Sequence, residues 1–167
     1  MILKNPTYAM SLVVLGAAAL QGCGGGDDQS VSTGAIPSPS SLRSACPTLA
    51  QEVLPDTLIT SVQLVEKGTV TTPDGKTFND MPAFCRVQAT LTPTSDSNIR
   101  VELWLPVETW NRRFLGTGNG GYAGSFFYHA LADGVRRGFA VSNTDMGTSP
   151  NVDEGMVGHP ERLVEIG

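Results

Sequence analysis

Between residues 85 and 105 the chain alternates apolar and polar side chains twice over, and this constrains the fold more than any other feature. In Cys85 to Leu91, Val87, Ala89 and Leu91 alternate with Arg86, Gln88 and Thr90. In Asn98 to Pro106, Ile99, Val101, Leu103 and Leu105 alternate with Arg100, Glu102 and Trp104. Period two with a polar second face predicts a pair of half-buried antiparallel strands. The stretch from Thr92 to Ser97, rich in Thr, Ser, Pro and Asp, connects them, and Pro106, which has no N–H to give a ladder, stops the second.

A different pattern follows. Arg113 to Thr117 reads as a short strand that empties into a loop carrying Gly116, Gly118, Gly120, Gly121 and Gly124. Ser125 to Arg137 then reads as a helix, with Phe127, Leu131 and Val135 on one stripe and Arg136 and Arg137 in the last turn, where cations suit the helix dipole. Gly138 ends it, and Phe139 to Asp145 is a strand. Residues 113–145 are thus a β–loop–α–β unit behind an antiparallel hairpin, a mixed α/β order. Upstream, Ser44 to Glu52 suggests a short helix or turn. Val62 to Val70 suggests a strand with Thr60, Val62 and Leu64 on one face, and Pro73-Asp74-Gly75 a turn. Met146 to Gly167 is loop-like, with a possible helix start at Pro160-Glu161-Arg162. A doubly wound sheet needs more βα units than these to cover both faces, so the expected architecture is the N-terminal part of an α/β sheet, incomplete as it stands.

The first residues read as targeting. Lys4 precedes an apolar run, Ala9 to Leu20, and Leu20-Gln21-Gly22-Cys23 resembles a bacterial lipobox. The expected division is a lipoprotein signal peptide over 1–22, a disordered Gly/Ser/Pro tether over 23–43 and a folded domain over 44–167. Cys23 would be lipidated, anchoring the chain at the periplasmic or cell-surface side of a bacterial membrane. An ordinary cleaved signal peptide is the alternative. With Cys23 set aside, Cys46 and Cys85 in an oxidising compartment read as one disulfide. His129 and His159 stand far from both and show no metal-ligand spacing. With 11 basic and 16 acidic residues and a formal charge of −5, and with no basic run, the chain carries no nucleic-acid signature.

The glycine loop admits three readings. Gly116, Gly118 and Gly121 satisfy G-x-G-x-x-G between a strand and a helix, and Asp145 closes the next strand where a ribose-binding carboxylate would stand. Both are marks of dinucleotide binding. Against this, the unit comes after a hairpin rather than opening the fold, and the chain looks exported. Alternatively the bare backbone lets N–H groups approach a reacting carbonyl, as in the oxyanion loop of an α/β-hydrolase. Or the loop is only a flexible connection.

The run from Phe84 to Ser125, with Phe84-Cys85-Arg86-Val87, "ELWLP", Trp110-Asn111 and "GTGNGGYAG" as its most specific parts, resembles the N-terminal part of the tannase and feruloyl esterase family. "GFAVSNTD" and "GHPERLVEIG" extend the likeness, which runs from about Cys46 to Gly167. The family consists of α/β-hydrolases that cleave esters of plant phenolic and related aromatic acids. The resemblance implies a serine carboxylesterase with a Ser-His-Asp triad, its nucleophile in a Cys-Ser-x-Gly-Gly elbow that this chain lacks. It implies backbone N–H groups around Gly118, Asn119 and Gly120 as oxyanion donors. It pairs Cys46 with Cys85 as the family's N-terminal disulfide, and it puts a calcium site in a lid that is also missing here, so no cofactor is expected in this chain. One departure is plain: where the family often has Gly-His after the Asp of the last strand, this chain has Met146-Gly147-Thr148. Tyr122, inside the glycine loop, is the candidate aromatic at the substrate's edge. Trp104 and Trp110 are expected to pack, Asp145 to cap its strand, and His129 and His159 to lie at the surface. The chain is thus expected to be a fragment of an aromatic-acid esterase, inactive alone. An exported non-catalytic surface lipoprotein and a dinucleotide-binding protein remain as alternatives.

Overall fold

The computed structural model describes residues 37–120 and 124–148, together with Gly158 and Pro160. Cys23, Gly121, Tyr122 and His159 lie outside the described residues, as do Glu161 and Arg162. The strands are β1 (Thr57–Val65), β2 (Gly68–Thr71), β3 (Thr77–Met81), β4 (Phe84–Leu91), β5 (Ile99–Pro106), β6 (Phe114–Gly116) and β7 (Ala140–Thr144). The helices are α1 (Pro39–Ala45), followed by a 3₁₀ turn over Pro47–Gln51, and α2 (Tyr128–Arg136). Five strands form one mixed sheet in the order β1-β4-β5-β7-β6, and β2 and β3 form a separate hairpin. The alternating pair is the antiparallel β4–β5 ladder, with Gln88 opposite Glu102 and Val87 opposite Leu103. β7 runs antiparallel to β5 and parallel to β6, so β6, α2 and β7 make the expected parallel unit.

Three boundaries differ from the sequence expectation. Order begins before residue 44: Pro39 sits in the first turn of α1, and the Ser38 side chain accepts the Ser41 N–H at 3.2 Å, an N-cap inside the stretch read as tether. The strand expected over 62–70 is two strands, broken at Glu66-Lys67, with Gly68 at φ 144°. The first starts at Thr57 and carries a bulge: Ile59 pairs with Ala89 and Ser61 with Gln88, so Thr60 is the extra residue. The bulge puts Ile59, rather than Thr60, in phase with Val62. Finally, α2 starts at Tyr128, and its buried stripe is Tyr128, Leu131, Ala132 and Val135, whereas Phe127 is 49% exposed.

α2 packs on the sheet face that bears Phe84, Trp104 and Val141. Leu131, Ala132 and Val135 are fully buried there, and Trp104 stacks on Phe84 with centroids 4.5 Å apart. Gly134 brings the helix backbone down on Val141; a Cβ at 134 would stand 2.9 Å from a Val141 methyl. The opposite face carries a second cluster of Ala83, Cys85, Val87 and Val107, with Leu42 and Leu49 of the N-terminal turns against it. A disulfide joins Cys46 to Cys85, Cα atoms 5.7 Å apart, and ties those turns to β4. Farther along this face an open apolar trough of about 280 Å³ runs over Ile59, Ala89, Leu91, Val101 and Leu103.

Candidate functional site

The glycine loop leaves β6 and returns as α2, so it lies at the carboxyl end of the two parallel strands, the end where open α/β sheets hold their ligands. Thr117 prolongs the β6–β7 pairing: its N–H and its hydroxyl both donate to the Ser142 carbonyl, at 2.9 and 2.7 Å. Beyond it the loop hangs from two asparagines. Asn143 of β7, 1% exposed, donates through Nδ2 to the Thr117 carbonyl at 3.1 Å and hydroxyl at 3.0 Å, and its Oδ1 accepts the Phe127 N–H at 2.8 Å. Asn119 donates its side-chain amide to the Ser125 carbonyl at 2.8 Å and to the Thr144 carbonyl.

Gly118 and Gly120 are exposed, and a Cβ at either would meet nothing within 4 Å. Neither has a positive φ, unlike Gly124 at 55°. So neither crowding by this chain nor a left-handed backbone demands glycine at 118 or 120. The N–H groups of Gly118, Asn119 and Gly120 have no acceptor among the described residues. The loop thus carries three backbone donors that none of the described residues takes up.

The carboxylates near this end are occupied. Glu102, fully buried, accepts five hydrogen bonds. Arg86 Nη2, Gln88 and the Tyr128 hydroxyl reach Oε1 at 2.6, 2.8 and 3.0 Å, and Arg86 Nε and Trp104 Nε1 reach Oε2 at 2.9 Å each. Burial pushes its pKa up, but the bonds from Arg86, Trp104 and Gln88 outweigh it and hold the carboxyl below the ordinary range. Burial and the neighbouring Glu102 charge push the Tyr128 phenol up. Tyr128 opens α2, so this network pins the helix start to β5. Asp145, 2% exposed, accepts the Arg100 N–H at 2.8 Å, the Gly147 N–H at 3.0 Å and the Arg100 side chain at 2.5 Å, which turns the chain after β7. A carboxylate so engaged does not offer itself to a ribose.

Of the other candidates, Trp104 is core, and Trp110 is 37% exposed with its Nε1 on the Arg113 carbonyl at 3.3 Å. His129 is exposed and meets Phe78 edge-on, with ring centroids 5.1 Å apart, and among the described residues no carboxylate or serine is bonded to it. Among the described residues no three His, Cys, Asp or Glu side chains gather as they would to hold a metal ion. Beside the start of α2 an open pocket of about 400 Å³ is lined by Gln88, Thr90, Arg100, Phe126 and Tyr128. Glu102, Tyr128 and Asn143 were missed as functional candidates from sequence. The signal for the last was a polar residue at the buried phase of a strand.

The profile described as tannase and feruloyl esterase matches residues 85–167. An uncharacterised esterase of Xanthomonas campestris pv. campestris is 37% identical over 136 residues, which is 80% of this chain and 24% of that protein. A probable feruloyl esterase B-1 of Aspergillus flavus is 31% identical over 140 residues, 79% of this chain and 26% of its own. The crystal structure of feruloyl esterase B from Aspergillus oryzae superposes with a TM-score of 0.67 at 28% identity, covering 75% of this chain and 25% of that one. The chain spans about a quarter of the length of these relatives. The described sheet, hairpin first and parallel unit second, is of the α/β-hydrolase kind these esterases share. Through residues 85–167 the chain belongs to the tannase and feruloyl esterase family.

Proposed function

We propose that this chain contributes the oxyanion-stabilising loop of an exported carboxylic ester hydrolase acting on esters of aromatic acids. The observation that carries the reading is the run of backbone N–H groups at Gly118, Asn119 and Gly120 that none of the described residues accepts, with glycine at 118 and 120 where neither packing nor φ requires it. A side chain at 118 or 120 would block a carbonyl arriving from outside; bare backbone lets it reach the donors. In the reaction a serine oxygen attacks the ester carbonyl, the alcohol leaves, and water releases the acid from the acyl-enzyme. The loop stabilises the negative oxygen of both tetrahedral intermediates, each donor worth roughly 3–4 kcal/mol. The Ser-His-Asp triad is not formed by residues described here. Tyr122, inside the glycine loop in sequence, is the aromatic proposed for the substrate's edge. Cys23 carries the lipid that holds the domain at the membrane surface. The names of the relatives support the aromatic-acid substrate, and the bonds on Asp145 weigh against a dinucleotide.

The test is hydrolysis by the polypeptide expressed from its natural locus, with methyl ferulate and methyl gallate against an aliphatic methyl ester. Single proline substitutions at Gly118, Asn119 and Gly120 each delete one N–H. Preference for the aromatic esters, with one proline variant slowed on the order of 10²–10³-fold, supports the proposal. Absence of turnover, or turnover indifferent to all three prolines, overturns it.

A further inference from the structure

We propose that Asn143 is a positioning residue for this reaction: it fixes the Thr117–Gly118 peptide plane so that the Gly118 N–H is aimed out of the loop as an oxyanion donor. The inference rests on the ester-hydrolase reading above and goes further by naming the donor and what holds it. The amide orientation of Asn143 follows from its partners. The Phe127 N–H can only donate and the Thr117 carbonyl can only accept, so Oδ1 faces the first and Nδ2 the second. A trans peptide unit is planar, with its C=O and N–H on opposite sides. Drawing the Thr117 carbonyl inward to Asn143 therefore turns the Gly118 N–H outward, where none of the described residues accepts it. The same side chain holds both ends of the loop, residue 117 on leaving β6 and residue 127 on entering α2. Nine residues lie between them, and without the clamp their closure would depend on the strand ladder and helix alone. At 1% exposure water cannot substitute for it. Asn119 adds a second tie, to Thr144 on β7.

The charged and titratable groups on this face around Asn143 are already paired: Glu102 with Arg86 from β5 and β4, Asp145 with Arg100, and Tyr128 of α2 on Glu102. This makes Asn143→Asp informative. The aspartate keeps an acceptor for Phe127 but turns a charged oxygen on the Thr117 carbonyl. Protonated, it regains an O–H that donates there. Burial raises the pKa of such a carboxyl, so the clamp should return as pH falls.

The experiment measures kcat and KM for methyl ferulate, and amide hydrogen exchange over residues 117–127, in the polypeptide expressed from its natural locus. Asn143→Asp, Asn143→Ala and Gly118→Pro are compared with wild type between pH 5 and 8. We expect both Asn143 variants to lose kcat on the order of 10²-fold with KM changed less than about threefold. Faster exchange in the loop should accompany the loss. The activity of Asn143→Asp relative to wild type should rise toward pH 5. Should Gly118→Pro lose activity while the Asn143 variants keep theirs, or should the Asn143→Asp deficit be the same at every pH, the inference is overturned and the ester-hydrolase reading stands. Should Gly118→Pro also be fully active, the Gly118 donor is wrong and the inference falls with it.

Discussion

Glu102 is the residue whose loss should cost most, and Glu102→Gln is the sharpest way to lose it because the shape is kept. Its two oxygens take five donors, three on Oε1 and two on Oε2. A glutamine must present an NH₂ group to one set or the other. In the better orientation it faces Arg86 Nε and Trp104 Nε1, and two donors lose their acceptor. Each unsatisfied buried donor costs about 1–3 kcal/mol. The substitution also leaves the Arg86 guanidinium, 12% exposed, without a counter-charge, and breaking a buried pair from one side costs about 3–5 kcal/mol. The two routes describe the same loss and agree at about 4 kcal/mol. Urea unfolding followed by tryptophan fluorescence reads it directly, since Trp104 is fully buried and bonded to Glu102. The pH dependence has a definite sign. The folded-state pKa of Glu102 is depressed, so its contribution is whole above the unfolded value near ~4.3 and is lost as pH falls through the lower folded value. The gap between wild type and Glu102→Gln should be constant from pH 6 upward and close in acid. A gap under about 1 kcal/mol at pH 7, or one that widens in acid, would refute the view of Glu102 as a charged keystone.

Replacing Cys46 and Cys85 together by serine opens a closed loop of sequence separation 39. It should lower stability by about 4 kcal/mol on the chain-entropy account, with a matching drop in urea midpoint when wild type is reduced. Gly138→Ala should cost at least about 2 kcal/mol: φ is +80° and the new Cβ would stand 2.4 Å from the Thr109 carbonyl oxygen. A thermal midpoint within error of wild type would contradict that contact. Gly134→Ala gains about 1 kcal/mol of helix propensity but must displace Val141, at about 1–3 kcal/mol. The expected result is mild destabilisation in wild type and stabilisation in a Val141→Ala background, which a double-mutant cycle detects as coupling.

What was legible in the sequence was what adjacent residues decide. The alternation in β4 and β5 declares their two faces without reference to any other segment, and the glycine loop between a short apolar run and Arg136-Arg137-Gly138 declares the parallel unit. The extra residue in β1 was not legible, because a bulge exists only relative to a partner, and the partner of Ile59 lies 30 residues on at Ala89. The helix start was set too early for a similar reason. Phe127, Leu131 and Val135 have helical spacing, but Phe127, with its N–H bonded to Asn143 on another strand, has φ −90° and ψ 76°, outside the helical region, so the first turn begins at Tyr128. The Ser38-Pro39 cap was readable in principle and was hidden by the Ser/Pro composition around it.

The site divides along the same line. Its loop is local and was readable from the glycines alone; its supports, Glu102, Tyr128 and Asn143, act across the sheet and were not. Yet β7 held a clue. Val141 and Asn143 are its two buried positions, so the strand's own alternation calls for an apolar residue at 143 and the chain has an amide there. A buried amide without partners is costly, so a polar residue at a buried phase implies partners that the strand itself does not supply. The nearest backbone groups outside a ladder at the carboxyl end of β7 are those of the glycine loop leaving its parallel neighbour. Once the register of β6 beside β7 is assumed, with Gly116 opposite Ser142, Asn143 falls beside Thr117. The break in a strand's pattern is thus as informative about this site as the glycines themselves.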